Sequence, residues 1–261
     1  WQRDDRESIG REQAGIFRTH RPAVYSSDDP PLSVIEYAGQ MGTPLYLLGR
    51  DFQLELDAGH RWSWHGPGAS WKNLPLPALP GMHQLRNAAG VLMVLQSLAA
   101  RLPVEQAAIE HGLTDIHISG RSQFIRGRVS WLLDVAHNPH AVNMLADNLR
   151  SIKLPARVVA VLGMLNDKDA GSVFQIMLPL VDEWHLTDLD EPRAYTAAEL
   201  KQQLERSAPD TTSFQYLHVR DALASASRSC RAGDLLLVFG SFYTVAGALQ
   251  WRREHEKSSQ G

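Results

Sequence analysis

Asp134 and His137 stand three residues apart in Leu132-Leu-Asp-Val-Ala-His-Asn-Pro-His140, directly after an apolar run from Val129 to Leu133 broken by Ser130. Asn138 suits a helix N-cap and Pro139 suits a first helical turn. A helical pattern then runs from Ala141. The stretch therefore reads as strand, tight turn, helix. Such a turn presents a carboxylate, an imidazole and free backbone N–H groups at the carboxyl end of a strand, where open α/β sheets place their ligands. On residue types alone, the same two side chains also fit a turn carboxylate and a surface imidazole. A second turn of this kind is Gly240-Ser-Phe-Tyr243, which follows Leu235–Phe239 and opens the last helical pattern. Its N–H groups and the Ser241 hydroxyl would suit a carboxylate. A third, Gly163-Met-Leu-Asn-Asp-Lys-Asp169, follows the run Val158–Leu162 and carries Lys168, which also fits a solvated charged turn.

These turns need a scaffold, and the second half of the chain reads as one. Strands are expected at Val129–Leu133, Val158–Leu162, Glu183–Leu186, Phe214–Val219 and Leu235–Phe239. Helices are expected at Ala141–Ile152, Ala170–Val181, Ala197–Ser207, Asp221–Ser229 and Phe242–Arg253. Thr196-Ala-Ala-Glu199 has the form of a capping box. Strands alternating with helices imply a mostly parallel sheet covered on both faces, a Rossmann-like domain. No GxGxxG follows its first strand, so no dinucleotide is assigned. The polar tail Glu254–Gly261 reads as frayed.

The first half is more mixed. A short helix with its exit covers 7–17, a strand 22–25, a helix from Pro31 or Leu32 to Gly42, and a strand Pro44–Leu48. Gln53–Leu56 and Trp62–Trp64 suggest a hairpin around Asp57–His60. Trp62, Trp64 and Trp71 fit core packing better than an aromatic binding platform. Leu74–Pro80 reads as extended, followed by an apolar helix to Leu98 and a helix over Val104–Glu110, opened by Pro103 and closed by Gly112. Ile118–Ser122 reads as a linker, with the domain boundary near Gly120. This divides the chain into 1–119 and 120–261.

Composition narrows the classes. The 261 residues are 44% hydrophobic and 21% charged, with a net charge of −3. That is an ordinary globular balance with no pull towards nucleic acid or a membrane surface. No apolar run approaches a membrane span, and the first residues do not read as a secretory signal. The single cysteine, Cys230, fits a reducing, cytoplasmic setting. It lies between Arg228 and Arg231, which would lower its pKa, but without a nearby His or Asp it reads as structural or incidental. The chain begins at Trp1, and Gln2–Glu7 look like the surface of an element already under way, so an upstream part is expected.

Asp134-Val-Ala-His-Asn-Pro-His-Ala141 resembles the signature of the folylpolyglutamate synthase/dihydrofolate synthase family, within the Mur ligase superfamily. The resemblance recurs in Ile9–Phe17, His83-Gln-Leu-Arg-Asn-Ala88, Gly120-Arg121, Gly163–Asp169 and Phe239-Gly-Ser-Phe-Tyr-Thr-Val245. It implies the end of a Mur-type P-loop ATPase domain over 1–119 and a Rossmann-like C-terminal ligase domain over 120–261. It implies an enzyme that joins L-glutamate to dihydropteroate or reduced folates, using ATP and Mg²⁺ through an acyl phosphate. It implies a monomer. By motif, Asn87, Arg121, Asp134 and His137 are implied to contact ATP, with Arg121 on a phosphate and crossing the domain junction, and Asp134 on the ribose. A planar, permanently charged guanidinium suits phosphate oxygens. Lys168 would hold a substrate carboxylate or a phosphate, and Ser241 would touch the incoming glutamate.

Three departures accompany the resemblance. The 261 residues contain no phosphate-loop motif, which in the family lies upstream, as does an expected metal-binding His. Ser119 replaces the proline that usually precedes Gly-Arg. Gln13 stands where relatives have a lysine implied to be carbamylated and to help hold metal, so no metal ligand is assigned in this chain. The chain is therefore expected not to catalyse ligation alone. Two other readings stay open: a non-catalytic α/β module that binds a nucleotide or a partner, and a Mur-type ligase with a peptide-precursor substrate.

Overall fold

Where short apolar runs alternate with helical patterns, the computed structural model builds a single mixed sheet. The described residues are 6–57, 60–116, 118–151 and 156–258. They fall into two compact units, Trp1–Ile116 and His117–Gly261.

In the second unit, β6 (Gln123–Ile125), β7 (Ser130–Asp134), β8 (Val158–Leu162), β9 (Glu183–Thr187), β10 (Ser213–Tyr216) and β11 (Leu235–Phe239) lie in the order β10-β9-β8-β11-β7-β6. All neighbours are parallel except the β6/β7 edge pair. The residues of β8, β9 and β11 are buried throughout, as expected for parallel strands covered on both faces. Alternate strand residues supply two cores. Helices α5 (Pro139–Ser151), α6 (Ala170–Met177) and α7 (Ala197–Ser207) pack with Leu132, Leu162, Trp184 and Phe239 on one face. Helices α8 (Val219–Ser229) and α9 (Phe242–Ser258) pack with Leu133, Val161 and Val238 on the other. The Thr196/Glu199 capping box at the start of α7 is formed on both sides.

The first unit carries α1 (Arg6–Ala14), β1 (Ala23–Tyr25), α2 (Leu32–Met41), β2 (Leu45–Leu47), β3 (Gln53–Leu56), β4 (Arg61–Gly66), β5 (Ala69–Pro75), α3 (Met82–Leu98) and α4 (Gln106–Thr114). β1 and β2 pair in parallel, and β3-β4-β5 form an antiparallel sheet. Gly42 ends α2 in the left-handed region with φ 62°. Trp62 and Trp64 are fully buried among Phe52, Leu85, Leu92 and Met93, and the Trp71 ring lies 4.7 Å from that of Trp64. These tryptophans are core, not a platform.

Several boundaries move for physical reasons. The helix expected from Val104 starts at Gln106 and runs past Gly112 to Thr114. Gly112 has nothing within 4 Å of a Cβ position, so it sits on an open helix face and does not stop the helix. Pro179 turns the end of the expected Ala170–Val181 helix into a separate 3₁₀ turn, Leu178–Leu180. The strand expected to reach Val219 ends at Tyr216, because Val219 opens α8 and packs against Gly247. β5 and β6 were not expected: each depends on a neighbouring strand for its hydrogen bonds, and neither shows clean alternation. The tail read as frayed continues α9 to Ser258. The hairpin turn after Asp57, the helix end at Ile152, the start at Trp1 and the last three residues reach outside the described residues.

Candidate active site

Strand order creates the crevice. β11 lies between β7 and β8, with Phe239 in register with Asp134 on one side and Leu162 on the other. The chain leaves β7 and β8 for helices on one face, but leaves β11 for α9 on the opposite face. The three loops therefore diverge outside the carboxyl ends of these strands, where open α/β sheets bind ligands. All three turns singled out in the sequence lie here. Gly240 N donates to the Ala136 carbonyl at 3.0 Å, and Thr244 Oγ1 donates to the Gly163 carbonyl at 2.8 Å.

After β7, Asn138 caps α5 by accepting from Ala141 N at 2.9 Å, with Pro139 as the first helical residue. His137 Nδ1 lies 2.8 Å from the Val135 carbonyl. A carbonyl can only accept, so Nδ1 carries a proton and donates, which leaves Nε2 as the ring atom available to a ligand. Asp134 is buried and engaged with its own chain. Its Oδ2 accepts from Ser122 N at 2.8 Å and Ser122 Oγ at 3.0 Å, and its Oδ1 accepts from Ala136 N at 2.8 Å.

Arg121 sits on the turn that Asp134 anchors. Gly120 adopts φ 72°, and its Cβ position falls 2.7 Å from Val245 Cγ1, so both backbone and space require glycine. The Arg121 side chain is exposed, its guanidinium carbon 5.9 Å from the centre of the Phe242 ring. Among the described residues no carboxylate pairs with it.

The loop after β8 is braced from one side. Tyr195 N donates to the Met164 carbonyl at 2.9 Å, Asn166 N to Arg193 at 2.8 Å, and the Tyr195 hydroxyl to the Lys168 carbonyl at 3.2 Å. Burial, followed by the charge of Asp169, pushes the Tyr195 phenol pKa up, so it stays a neutral donor. Lys168 Nζ lies 3.1 Å from Asp167 Oδ2 and points from a partly exposed position. Asp169 caps α6, and hydrogen bonds from the Ser172 side chain and backbone hold its pKa below the usual carboxylate range.

After β11, Ser241 is buried as the residue preceding α9. Its Oγ accepts from Thr244 N at 3.1 Å and lies 2.7 Å from Thr244 Oγ1. Thr244 already donates to Gly163, so Ser241 donates to Thr244, and both hydroxyl protons are committed inside the protein. Among the described residues, the donors of this turn left without a partner are then the backbone N–H groups of Phe242 and Tyr243 at the start of α9. Sequence reasoning assigned no role to Ser122, Thr244 or Tyr195, because each makes a bond to a partner distant in the chain.

In the first unit, Asn87 is exposed in the second turn of α3 and donates to Gln84 Oε1 at 3.3 Å. Gln13 is exposed on α1. Among the described residues no group of three or more His, Cys, Asp or Glu is placed to hold a metal ion. The described residues thus do not by themselves form a Mg²⁺ shell. Cys230 corrects one expectation. It is buried, and burial, helped by Asp234, pushes its thiol up to about 11 despite the flanking arginines.

An open, mostly parallel sheet with a loop crevice, helix N-termini and an exposed guanidinium that no described carboxylate pairs with is equipped to orient anionic groups. Residues 120–242 match the family described as Mur ligase, glutamate ligase domain. The chain is 35% identical over 250 residues to the dihydrofolate synthase/folylpolyglutamate synthase of Escherichia coli (strain K12), a match covering 96% of this chain and 56% of that protein. A solved structure of E. coli FolC in complex with DHPP and ADP superposes with a TM-score of 0.89 at 33% identity, covering 98% of this chain and 59% of that one. A bifunctional folylpolyglutamate synthase/dihydrofolate synthase with Mn, AMPPNP and L-glutamate bound gives 0.84 at 34%, covering 97% and 58%. The second unit is thus similar, over residues 120–242, to the Mur ligase, glutamate ligase domain. The chain as a whole is a relative of the folylpolyglutamate synthase/dihydrofolate synthases, as its motifs suggested, and spans a little over half the length of those it matches.

Proposed function

We propose that the chain is part of an ATP-dependent ligase that joins L-glutamate to dihydropteroate or reduced folates in folate biosynthesis. Residues 1–119 are read as the C-terminal part of its ATP-binding domain and 120–261 as its glutamate ligase domain. The observation that carries this reading is the convergence of the β7, β8 and β11 turns on one crevice, with Arg121 exposed and unpaired by any described carboxylate. Relatives with ADP, and with AMPPNP, Mn and L-glutamate, support ATP and a divalent metal as cofactors.

A carboxylate is a poor acyl donor. Phosphorylation by ATP gives an acyl phosphate, which the glutamate amine attacks, expelling phosphate. The protein's contribution is positioning and charge stabilisation. In this reading Arg121 neutralises phosphate oxygens, and His137 stacks on or hydrogen-bonds to the nucleotide. Asp134 has one acceptor direction left on Oδ1, enough for a single ribose hydroxyl. Asn87 is a nucleotide contact on the first unit. Lys168 holds a carboxylate or a phosphate. The glutamate carboxylate meets the N–H groups after Ser241, while the Ser241 hydroxyl shapes the turn from within. The metal's protein ligands then come from outside the described residues. The protein is read as a cytoplasmic monomer. Among the described residues no helix is long and apolar enough to cross a membrane.

The neutral, exposed Gln13 favours a second reading, a non-catalytic module that binds a nucleotide or a partner. A Mur-type ligase acting on a peptide precursor is the third. The test is ADP release with MgATP and L-glutamate, offering dihydropteroate or tetrahydrofolate, for this chain beside the same chain joined to the upstream segment its relatives carry. Activity in the joined protein alone supports the ligase and names its acceptor. Silence in both promotes the non-catalytic module.

A further inference from the structure

Ser122 is a buried, non-glycine residue in the left-handed region, with φ 44°. That conformation is costly for an L-residue, and it persists where the surroundings over-determine it. The surroundings here are a buried polar chain. Asn148, on α5, donates from Nδ2 to Ser122 Oγ at 3.1 Å. Ser122 Oγ and N both donate to Asp134 Oδ2, at 3.0 and 2.8 Å. Ser122, Asp134 and Asn148 are all buried, at 7, 9 and 5% exposure. Two more bonds hold the same turn: Val135 N to the Gly120 carbonyl at 2.9 Å, and Gly120 N to Gln123 Oε1 at 3.0 Å. The only long side chain this clamped turn sends into solvent between Gly120 and Ser122 is that of Arg121.

We propose that Ser122 and Asn148 are positioning residues that aim Arg121 at the phosphates of the nucleotide, with buried Asp134 as their common anchor. The inference rests on the reading of Arg121 as a phosphate contact. A guanidinium on a mobile turn loses affinity through the freedom it must give up on binding. A turn tied to both a strand and a helix has given up that freedom on folding. The hydroxyl is suited to the task because it accepts from Asn148 while donating to Asp134, which an apolar residue cannot do.

The test is binding of Mg·AMPPNP and of adenosine to the full-length protein by titration calorimetry, with urea unfolding alongside. Ser122→Gly removes the hydroxyl but keeps the backbone N–H; glycine adopts φ 44° without strain, which offsets part of the cost of leaving buried Asn148 Nδ2 without its acceptor, so the urea midpoint should fall only modestly. Affinity for Mg·AMPPNP should fall about tenfold while that for adenosine, which has no phosphates, moves by less than about twofold. Asn148→Leu should lose about threefold, since Ser122 keeps its bond to Asp134. In an Arg121→Ala background, Ser122→Gly should cause no further loss. Full Mg·AMPPNP affinity in Ser122→Gly, or an equal loss for adenosine, overturns the proposal while leaving the phosphate contact standing. Unchanged affinity in Arg121→Ala overturns the phosphate contact itself, and the positioning role with it.

Discussion

Replacing Thr244 by valine would test whether the three turns of the crevice are held as one piece. Thr244 is fully buried, and its hydroxyl donates to the Gly163 carbonyl at 2.8 Å and accepts from Ser241 Oγ at 2.7 Å. Valine has nearly the same shape, so packing is kept and only the hydroxyl is lost. Two buried groups then lack a partner, the Gly163 carbonyl and the Ser241 hydroxyl. An orphaned buried group costs about 1–3 kcal/mol, and Ser241 can turn its proton elsewhere, so the expected loss is about 2–4 kcal/mol. For a unit near 150 residues, each kcal/mol moves the midpoint by roughly 2–4 °C, so the second unit should melt roughly 10 °C lower. Urea unfolding followed by circular dichroism should show a lower midpoint with an unchanged m-value. Thr244→Ser keeps the hydroxyl and should lose only about 1 kcal/mol, the cost of one buried methyl group. A loss below about 0.5 kcal/mol for the valine variant would show that neither orphan matters, and the reasoning from paired hydroxyls would fail.

Three further outcomes follow from geometry and burial. Gly240→Ala should destabilise by about 3 kcal/mol or more, because φ is 105° and the new Cβ would fall 2.4 Å from Leu162 Cδ1 and 2.7 Å from the Gly163 carbonyl; a soluble variant of wild-type urea midpoint would refute this. His185 is buried, with Nε2 2.8 Å from Glu183 Oε1 and Nδ1 3.0 Å from the Tyr216 hydroxyl, and burial lowers its pKa against the opposing pull of Glu183. The unfolded chain therefore binds the His185 proton first, so stability present above about pH 6.5 is lost as pH falls below it; His185→Gln should abolish that part of the pH dependence of urea unfolding. Cys230, with its thiol raised to about 11, should react with a thiol reagent at pH 8 only after unfolding; rapid labelling of the folded protein would contradict its burial.

Much of the second unit was legible because its signals are local. Val158–Leu162 and Leu235–Phe239 are unbroken apolar runs, and the structure reproduces both strands at the expected residues. The Thr196 capping box and the Asn138 cap are contacts within three residues, so spelling alone reveals them. The three turns could be named for the same reason. Misplaced boundaries arose where a residue type pointed one way and packing the other. Val219 has strand propensity but opens α8 and packs against Gly247, and Gly112 has the look of a stop but sits on an open helix face.

The sequence by itself determined the kinds of element, the α/β class, the family resemblance and the residues that could do chemistry. These depend on side-chain periodicity, caps and short motifs, all of which act over a few residues. Only the tertiary structure decided that β11 inserts between β7 and β8, since strand order depends on which faces the connecting helices cover. It also decided that Asp134 anchors the Arg121 turn, and that the Ser241 hydroxyl faces Thr244. A hydrogen bond between residues 12, 26 or 81 positions apart leaves no periodic trace in the chain; only packing brings its two ends together.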